Sequence, residues 1–195
     1  MNISVAQNLE PTPQRVRWTT SDLEGFPDNG NRYEIVDGEL LVTRTPHWDH
    51  QDVAGAAYAA LRQWSKQTGL GQASFTPGII YSESDNVIPD VVWVSTERLS
   101  QLLDPSGHLT GSPDLVVEVL SKSESDRKRD RQTKLKLYSA QGVLEYWIID
   151  GDQKQLEVYR REQGLLVRVV TLYPTDCLTS PLLPGFNWDL SLLFD

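Results

Sequence analysis

Cysteine is almost missing from this chain: Cys177 is the only one in 195 residues. That excludes an intramolecular disulfide framework and fits a reducing cytoplasm. No apolar run approaches the roughly 18 residues of a membrane span. The opening MNISVAQNLEPTPQRVRW lacks the apolar centre of a secretory signal. Positive charge is short as well: 18 Lys and Arg stand against 27 Asp and Glu, a formal charge of −9. Broad, non-specific nucleic-acid binding depends on neutralising phosphates and is disfavoured, although a local basic patch or a metal in an acidic site would offset the deficit. The three histidines, His47, His50 and His108, give no zinc spacing with Cys177. His47 and His50, three apart, read as residues of a helix start. There is no Gly-rich phosphate loop, no Gly-X-Ser-X-Gly elbow, no internal repeat and no low-complexity block.

What is present is a globular composition, 39% hydrophobic with six tryptophans, long enough for one domain with a real core. Residues 1 to 18 are polar and proline-bearing and read as a flexible leader; residues 19–195 read as one domain. Thr20 or Ser21 is a candidate cap for a short helix. RYEIVDGELLVTR reads as two alternating runs around Asp37-Gly38, a two-residue hairpin signal. TPHWDHQDVAGAAYAALRQWSKQTG carries Val53, Ala57, Leu61 and Trp64 at helical spacing, with Gly69 as the stop. FTPGIIYS and VIPDVVWVS read as strands around the turn ESDN, TERLSQLLD as a short helix and DLVVEVLS as a strand. A long helix is expected from about Ser123 to Ala140, ended by Gly142. VLEYWIID reads as a strand, KQLEVYRR and GLLVRVVTLY as a hairpin, and PGFNWDLSLLF closes the chain. This order predicts a mixed α/β domain with a central sheet.

The strand DLVVEVL places a glutamate among apolar residues. Alternation puts Asp114, Val116, Glu118 and Leu120 on one side. A buried carboxylate costs several kcal/mol, on the order given for uncompensated polar burial, so Glu118 calls for a lysine, a metal ion or a proton. Asp114 shares its face but lies about 13 Å away along the strand, too far to share an ion. Asp90, which also follows a proline and opens a valine-rich strand, is the candidate cross-strand partner. Two such hard oxygen donors suit magnesium or manganese. Glu34, flanked by apolar residues, is a third candidate. Each of these acids also has a bland reading as a solvent-facing residue of a half-exposed sheet. In the following helix Asp130, Lys134 and Tyr138 share a face. Seven basic residues between Lys122 and Lys136 read either as a solvated helix with i,i+4 pairs or as a phosphate-facing stripe, with Lys134 turned inward.

YEIVDGEL, the helix led by His50, PDVVWV, PDLVVEVLS and DRQTKLKLYSAQGVLEYWIID together resemble the Uma-two family, restriction-endonuclease-like domains of the PD-(D/E)XK nuclease superfamily. The resemblance covers roughly residues 18 to 190. It implies a restriction-endonuclease-like core, a central mixed β-sheet flanked by helices, with an N-terminal β-hairpin. By resemblance Asp90 matches the first acid of the superfamily pattern and Glu118 the second, while Glu34 matches the N-terminal acid. Two residues after Glu118 stands Leu120 where the pattern has lysine. Lys134 matches a lysine that the family carries on the next helix, and Lys122 competes with it. His50, Asp114, Asp130 and Tyr138 fall at family-typical positions. The resemblance implies magnesium or manganese held by Asp90, Glu118 and the main-chain carbonyl of Val119, with Lys134 and Glu34 as catalytic partners, and phosphodiester hydrolysis in DNA.

Two rival readings stand beside this one: a catalytically inactive nuclease-fold binding or assembly module, and a metal-dependent enzyme acting on another phosphate ester. The apolar residues of the closing hairpin and of the tail predict a homodimer.

Overall fold

Asp37 and Gly38 take positive φ values of 49° and 71°, as a type I′ turn requires. They join β1 (Arg32–Val36) to β2 (Glu39–Thr43) in an antiparallel hairpin. The structure is a computed structural model that describes residues 15–194. Of the leader, residues 1–14 lie outside the described residues. Trp18 donates its backbone N–H to the Gly38 carbonyl, and Arg17 pairs with Asp37. A 3-10 turn, Thr20–Gly25, follows. Its cap is Thr19, one residue before the candidates: Thr19 and Asp22 bond reciprocally, which satisfies the first free donors.

Helix α1 (Trp48–Thr68) buries Ala54, Ala57, Leu61 and Trp64 on one stripe and stops at Gly69, φ 71°. After it come β3 (Gly71–Phe75), β4 (Ile79–Ser82), β5 (Asp85–Val87), β6 (Val91–Ser95), α2 (Thr96–Leu102) and β7 (Leu115–Val119). Half of the expected turn ESDN is strand β5, which leaves Glu83-Ser84 as the connection. The long helix is broken into α3 (Glu124–Lys128), a π-helical segment Arg129–Lys134 and α4 (Leu135–Gln141). Strands β8 (Glu145–Asp150), β9 (Gln155–Glu162), β10 (Leu165–Leu172), β11 (Cys177–Ser180) and β12 (Leu183–Asp189) complete the chain. The short strands β3 and β11 and the pairing of the tail as β12 escaped the sequence reading, because each is half polar and too short to show a period.

Among the described residues, β10-β9-β8-β7-β6-β3 form one mixed sheet in which only β7 and β8 pair in parallel. Strand β7 is buried along its whole length. Leu115, Val117 and Val119 face α1 and the β11–β12 hairpin, where Trp147 stacks on Phe186. Val116 and Leu120 face the other way, toward Tyr138, Tyr146 and α4. A second, four-stranded sheet, β2-β1-β5-β4, also lies on this latter side and adds Val36, Ile79 and Val87 to that core. A carboxylate at position 118 therefore lies between two layers. Among the described residues no helix is long and apolar enough to cross a membrane.

Candidate active site

Extension of the antiparallel β6–β7 ladder decides which acid meets Glu118. Val91 pairs with Val117, so one step further sets Asp90 opposite Glu118 on the same face. The Val119 N–H donates to Asp90 Oδ2 at 2.9 Å. Asp90 and Glu118 are each 2% exposed.

The wide π turn aims two side chains inward, Asp130 and Lys134, both buried. π segments are rare and recur at functional sites. Lys134 Nζ lies 2.9 Å from Glu118 Oε1, 2.9 Å from Glu34 Oε1 and 3.9 Å from Asp130 Oδ1. Tyr138 donates its hydroxyl to Glu118 Oε1 at 2.9 Å. Glu34 also accepts the Ile88 N–H at 2.8 Å. The structure thus brings Asp90, Glu118, Glu34, Lys134, Asp130 and Tyr138 together. Lys122 remains outside, 61% exposed and 3.5 Å from Asp49. Asp114 is also apart: it accepts the Ser95 N–H at 2.8 Å and pairs with Arg98 at 2.6 Å, a structural role at the start of α2.

Burial pushes the Glu118 carboxyl up to about 8; Asp90, Asp130 and Glu34 add to the rise, and Lys134 opposes it. Burial would lower the Lys134 amine, but Glu118, Glu34 and Asp130 outweigh it and hold the amine above its ordinary value. The two directions compete, because a neutral Glu118 no longer supports the ammonium. Glu34 resolves the conflict: at 2.9 Å it keeps the ammonium paired when Glu118 carries a proton. Burial would raise the Asp90 carboxyl, yet His50, Arg32 and the Val119 N–H overcome it and hold the group well below the usual range.

Arg32 was missed by the sequence reading. Its Nη1 donates to Asp90 Oδ1 and to the Ile88 carbonyl, each at 3.0 Å. It stands two residues before Glu34 on β1, so the period of a strand puts both on one face; that spacing was the available signal. His50 Nε2 is 3.3 Å from Asp90 Oδ2, while its Nδ1 is buried without a hydrogen-bond partner.

The basic stripe does not form. Arg127 and Arg131 turn inward to the buried Asp150, and Arg131 also reaches Glu157 at 2.7 Å. Arg129 pairs with Asp126 at 3.0 Å. Carboxylates buried on β8 and β9 need counter-charge, and the arginines of the overlying helix supply it.

Among the described residues no group of three or more His, Cys, Asp or Glu side chains is arranged to hold a metal. Magnesium does not demand one: it keeps several waters and is held through one or two carboxylates. The donors fit a hard cation. Glu34 Oε2 is buried without a partner, and Glu118 accepts its two hydrogen bonds at Oε1 alone. With Glu118 ionised, Asp90, Glu118, Glu34 and Asp130 outnumber Arg32, Lys134 and Arg129 by one, a charge that a bound cation would take up. A cleft of about 1090 Å³ opens beside these groups, lined by Arg32, His50, Ile88 and Val119, with the acids one layer behind.

A central mixed sheet covered on both faces, with a hairpin-led second sheet alongside, defines a restriction-endonuclease-like α/β domain. The crystal structure of "a putative nuclease belonging to DUF820" from Anabaena variabilis shares this fold, with a TM-score of 0.69 at 18% identity, over 90% of this chain and 97% of that one. The chain belongs to the Uma2 family: the model of that family, described as "Putative restriction endonuclease", matches residues 20–192. No curated protein matches the sequence.

Proposed function

We propose that this chain is a metal-dependent endonuclease that hydrolyses phosphodiester bonds in DNA. The observation that carries the reading is the buried Lys134 ammonium, 2.9 Å from both Glu118 and Glu34, on the face where Asp90 stands across from Glu118. Lysine on the helix replaces the lysine that the superfamily pattern puts at position 120. Magnesium or manganese, when held by Asp90, Glu118 and the Val119 carbonyl, supplies Lewis-acid charge to the phosphoryl oxygen and acidifies water.

The protein's own groups do the rest. Lys134 donates to the oxygens that gain charge and orients the attacking water. Tyr138 fixes the Glu118 carboxyl through Oε1. Arg32 and His50 stand between Asp90 and the cleft; they hold Asp90 ionised and offer positive charge to an entering phosphate. The single cysteine supports a cytoplasmic location. The apolar edge strand β10 supports a homodimer.

A second reading is an inactive nuclease-fold binding or assembly module. It is favoured by the arrangement at Asp90, where Arg32 at 3.0 Å already supplies a cation.

Nicking of supercoiled plasmid with magnesium or manganese tests the reading. Lys134→Met, which keeps the volume, should abolish cleavage while circular dichroism shows a folded chain. Lys122→Ala should leave cleavage largely intact. Loss in Lys122→Ala with full activity in Lys134→Met would reverse the assignment. No cleavage of plasmid or of single-stranded DNA by the unmutated protein under either metal would leave the inactive module.

A further inference from the structure

Five of the six tryptophans are buried or half-buried. Trp48 is the exception: it is the first residue of α1 and is 81% exposed. It contributes nothing to either core, and it lines the same cleft as Arg32, His50 and Val119. His50, on the same cleft, touches Asp90. A bare indole thus shares one cleft with a residue in contact with the candidate hydrolytic site.

The charge of the cleft narrows what the indole meets. Its lining carries four acidic and four basic side chains, in a chain of −9. Duplex DNA is held chiefly by neutralised phosphates, and this cleft offers no surplus. Its volume, about 1090 Å³, matches the upper end of pockets for a single small ligand, about 300–1,000 Å³, rather than a groove that embraces a duplex. Single strands have a second source of affinity: their bases stack on aromatic side chains beside the groove that tracks the backbone. Stacking also needs an open base face, which a paired base inside a duplex does not present. Arg44, exposed on the same cleft wall, supplies a phosphate contact.

We infer that Trp48 is a stacking platform for an unpaired base, and that the cleft takes single-stranded nucleic acid, or an unpaired end or flap, with the stacked base next to the scissile phosphate. This rests on the nuclease reading for the meaning of the neighbouring site, but binding alone can test it.

The full-length protein is titrated without metal, so that nothing is cut. The probes are a short oligothymidylate, the matching oligouridylate and a duplex of the same length. Anisotropy of labelled probes gives affinity, and tryptophan fluorescence reports stacking on the one exposed indole. Trp48→Ala should weaken single-strand binding roughly 5- to 150-fold, the range of one base–aromatic stack, with an unchanged melting temperature because the side chain is solvent-exposed. Trp48→Phe should keep most of the affinity and lose most of the fluorescence change. Duplex binding should be weaker and insensitive to both. A preference between the two single strands identifies the sugar. Trp48→Ala binding as tightly as the unmutated chain, duplex binding as tight as single-strand binding, or no binding of any probe overturns the inference. Plasmid nicking with Trp48-independent binding removes this inference and leaves the nuclease reading. Trp48-dependent binding without cleavage under either metal does the reverse.

Discussion

At the scale of single residues, the environment of each acid sets what its removal does. Glu118 is pushed up to about 8, chiefly by burial, with Lys134 opposing the rise. Glu118→Gln keeps the side-chain shape and leaves Lys134 paired with Glu34, so the chain should fold while magnesium-dependent cleavage disappears; circular dichroism and plasmid nicking measure the two. Asp114 is the contrasting case. It is 3% exposed and satisfies the Ser95 N–H and Arg98. Asp114→Ala should cost about 1–3 kcal/mol through the orphaned N–H, with little from Arg98, which is 36% exposed and screened. Metal-induced stabilisation should survive in that variant. Tyr138→Phe removes one hydrogen bond to Glu118 and leaves the Lys134 contact. A loss of about tenfold in cleavage rate is expected, with the fold intact.

At the scale of elements, the π segment is the device that builds the site. Residues 129–134 make one wide turn between two short α-helices, and that turn sends Asp130 and Lys134 into the interior. Upstream, Arg127 is tied to Asp150; downstream, Tyr138 is tied to Glu118. Deletion of the exposed Thr133 would let the wide turn close to an ordinary α-turn, with Asp130 and Lys134 three positions apart instead of four, which changes the angle between the two inward side chains. Helix content in the far ultraviolet should persist, while cleavage and the metal-induced rise in melting temperature are lost. Retention of both would show that the wide turn is dispensable. At β3 the constraint is steric. A Cβ at Gly71 would lie 2.3 Å from Trp93 Cζ2 and 2.4 Å from the Val94 carbonyl oxygen. Gly71→Ala must displace backbone as well as a ring, and overpacking of about 1–3 kcal/mol or more is expected by chemical unfolding.

At the scale of the whole molecule, the two ends of the apolar closing region part company. The tail goes into the core, where Phe186, Trp188 and Phe194 pack against α1 and the sheet. Among the described residues strand β10 stays at the sheet edge, hydrogen-bonded to β9 alone, with Leu165, Val167, Val169 and Val170 exposed. An unpaired apolar edge is a template for another strand, and a second copy of β10 would close it. Sedimentation should give a dimer that Val167→Lys with Val169→Lys converts to monomer. A concentration-independent monomer near 22.0 kDa for the unmutated chain removes the dimer.

The amino-acid order by itself determined what neighbours in the chain decide. Asp37-Gly38 turns the first hairpin, Gly69 stops α1, and alternation puts Glu118 on one face and Val117 and Val119 on the other. These follow from backbone sterics and side-chain period, which act over a few residues. Tertiary structure alone decided the partners. The register of β6 on β7 sets Asp90 opposite Glu118, a second sheet brings Glu34 and Arg32 to the same point, and the arginines read as a phosphate stripe turn inward to Asp150 and Glu157. Such pairings join residues tens of positions apart. They arise because a carboxylate buried by one layer takes its counter-charge from whichever layer docks against it, and no local pattern records that choice.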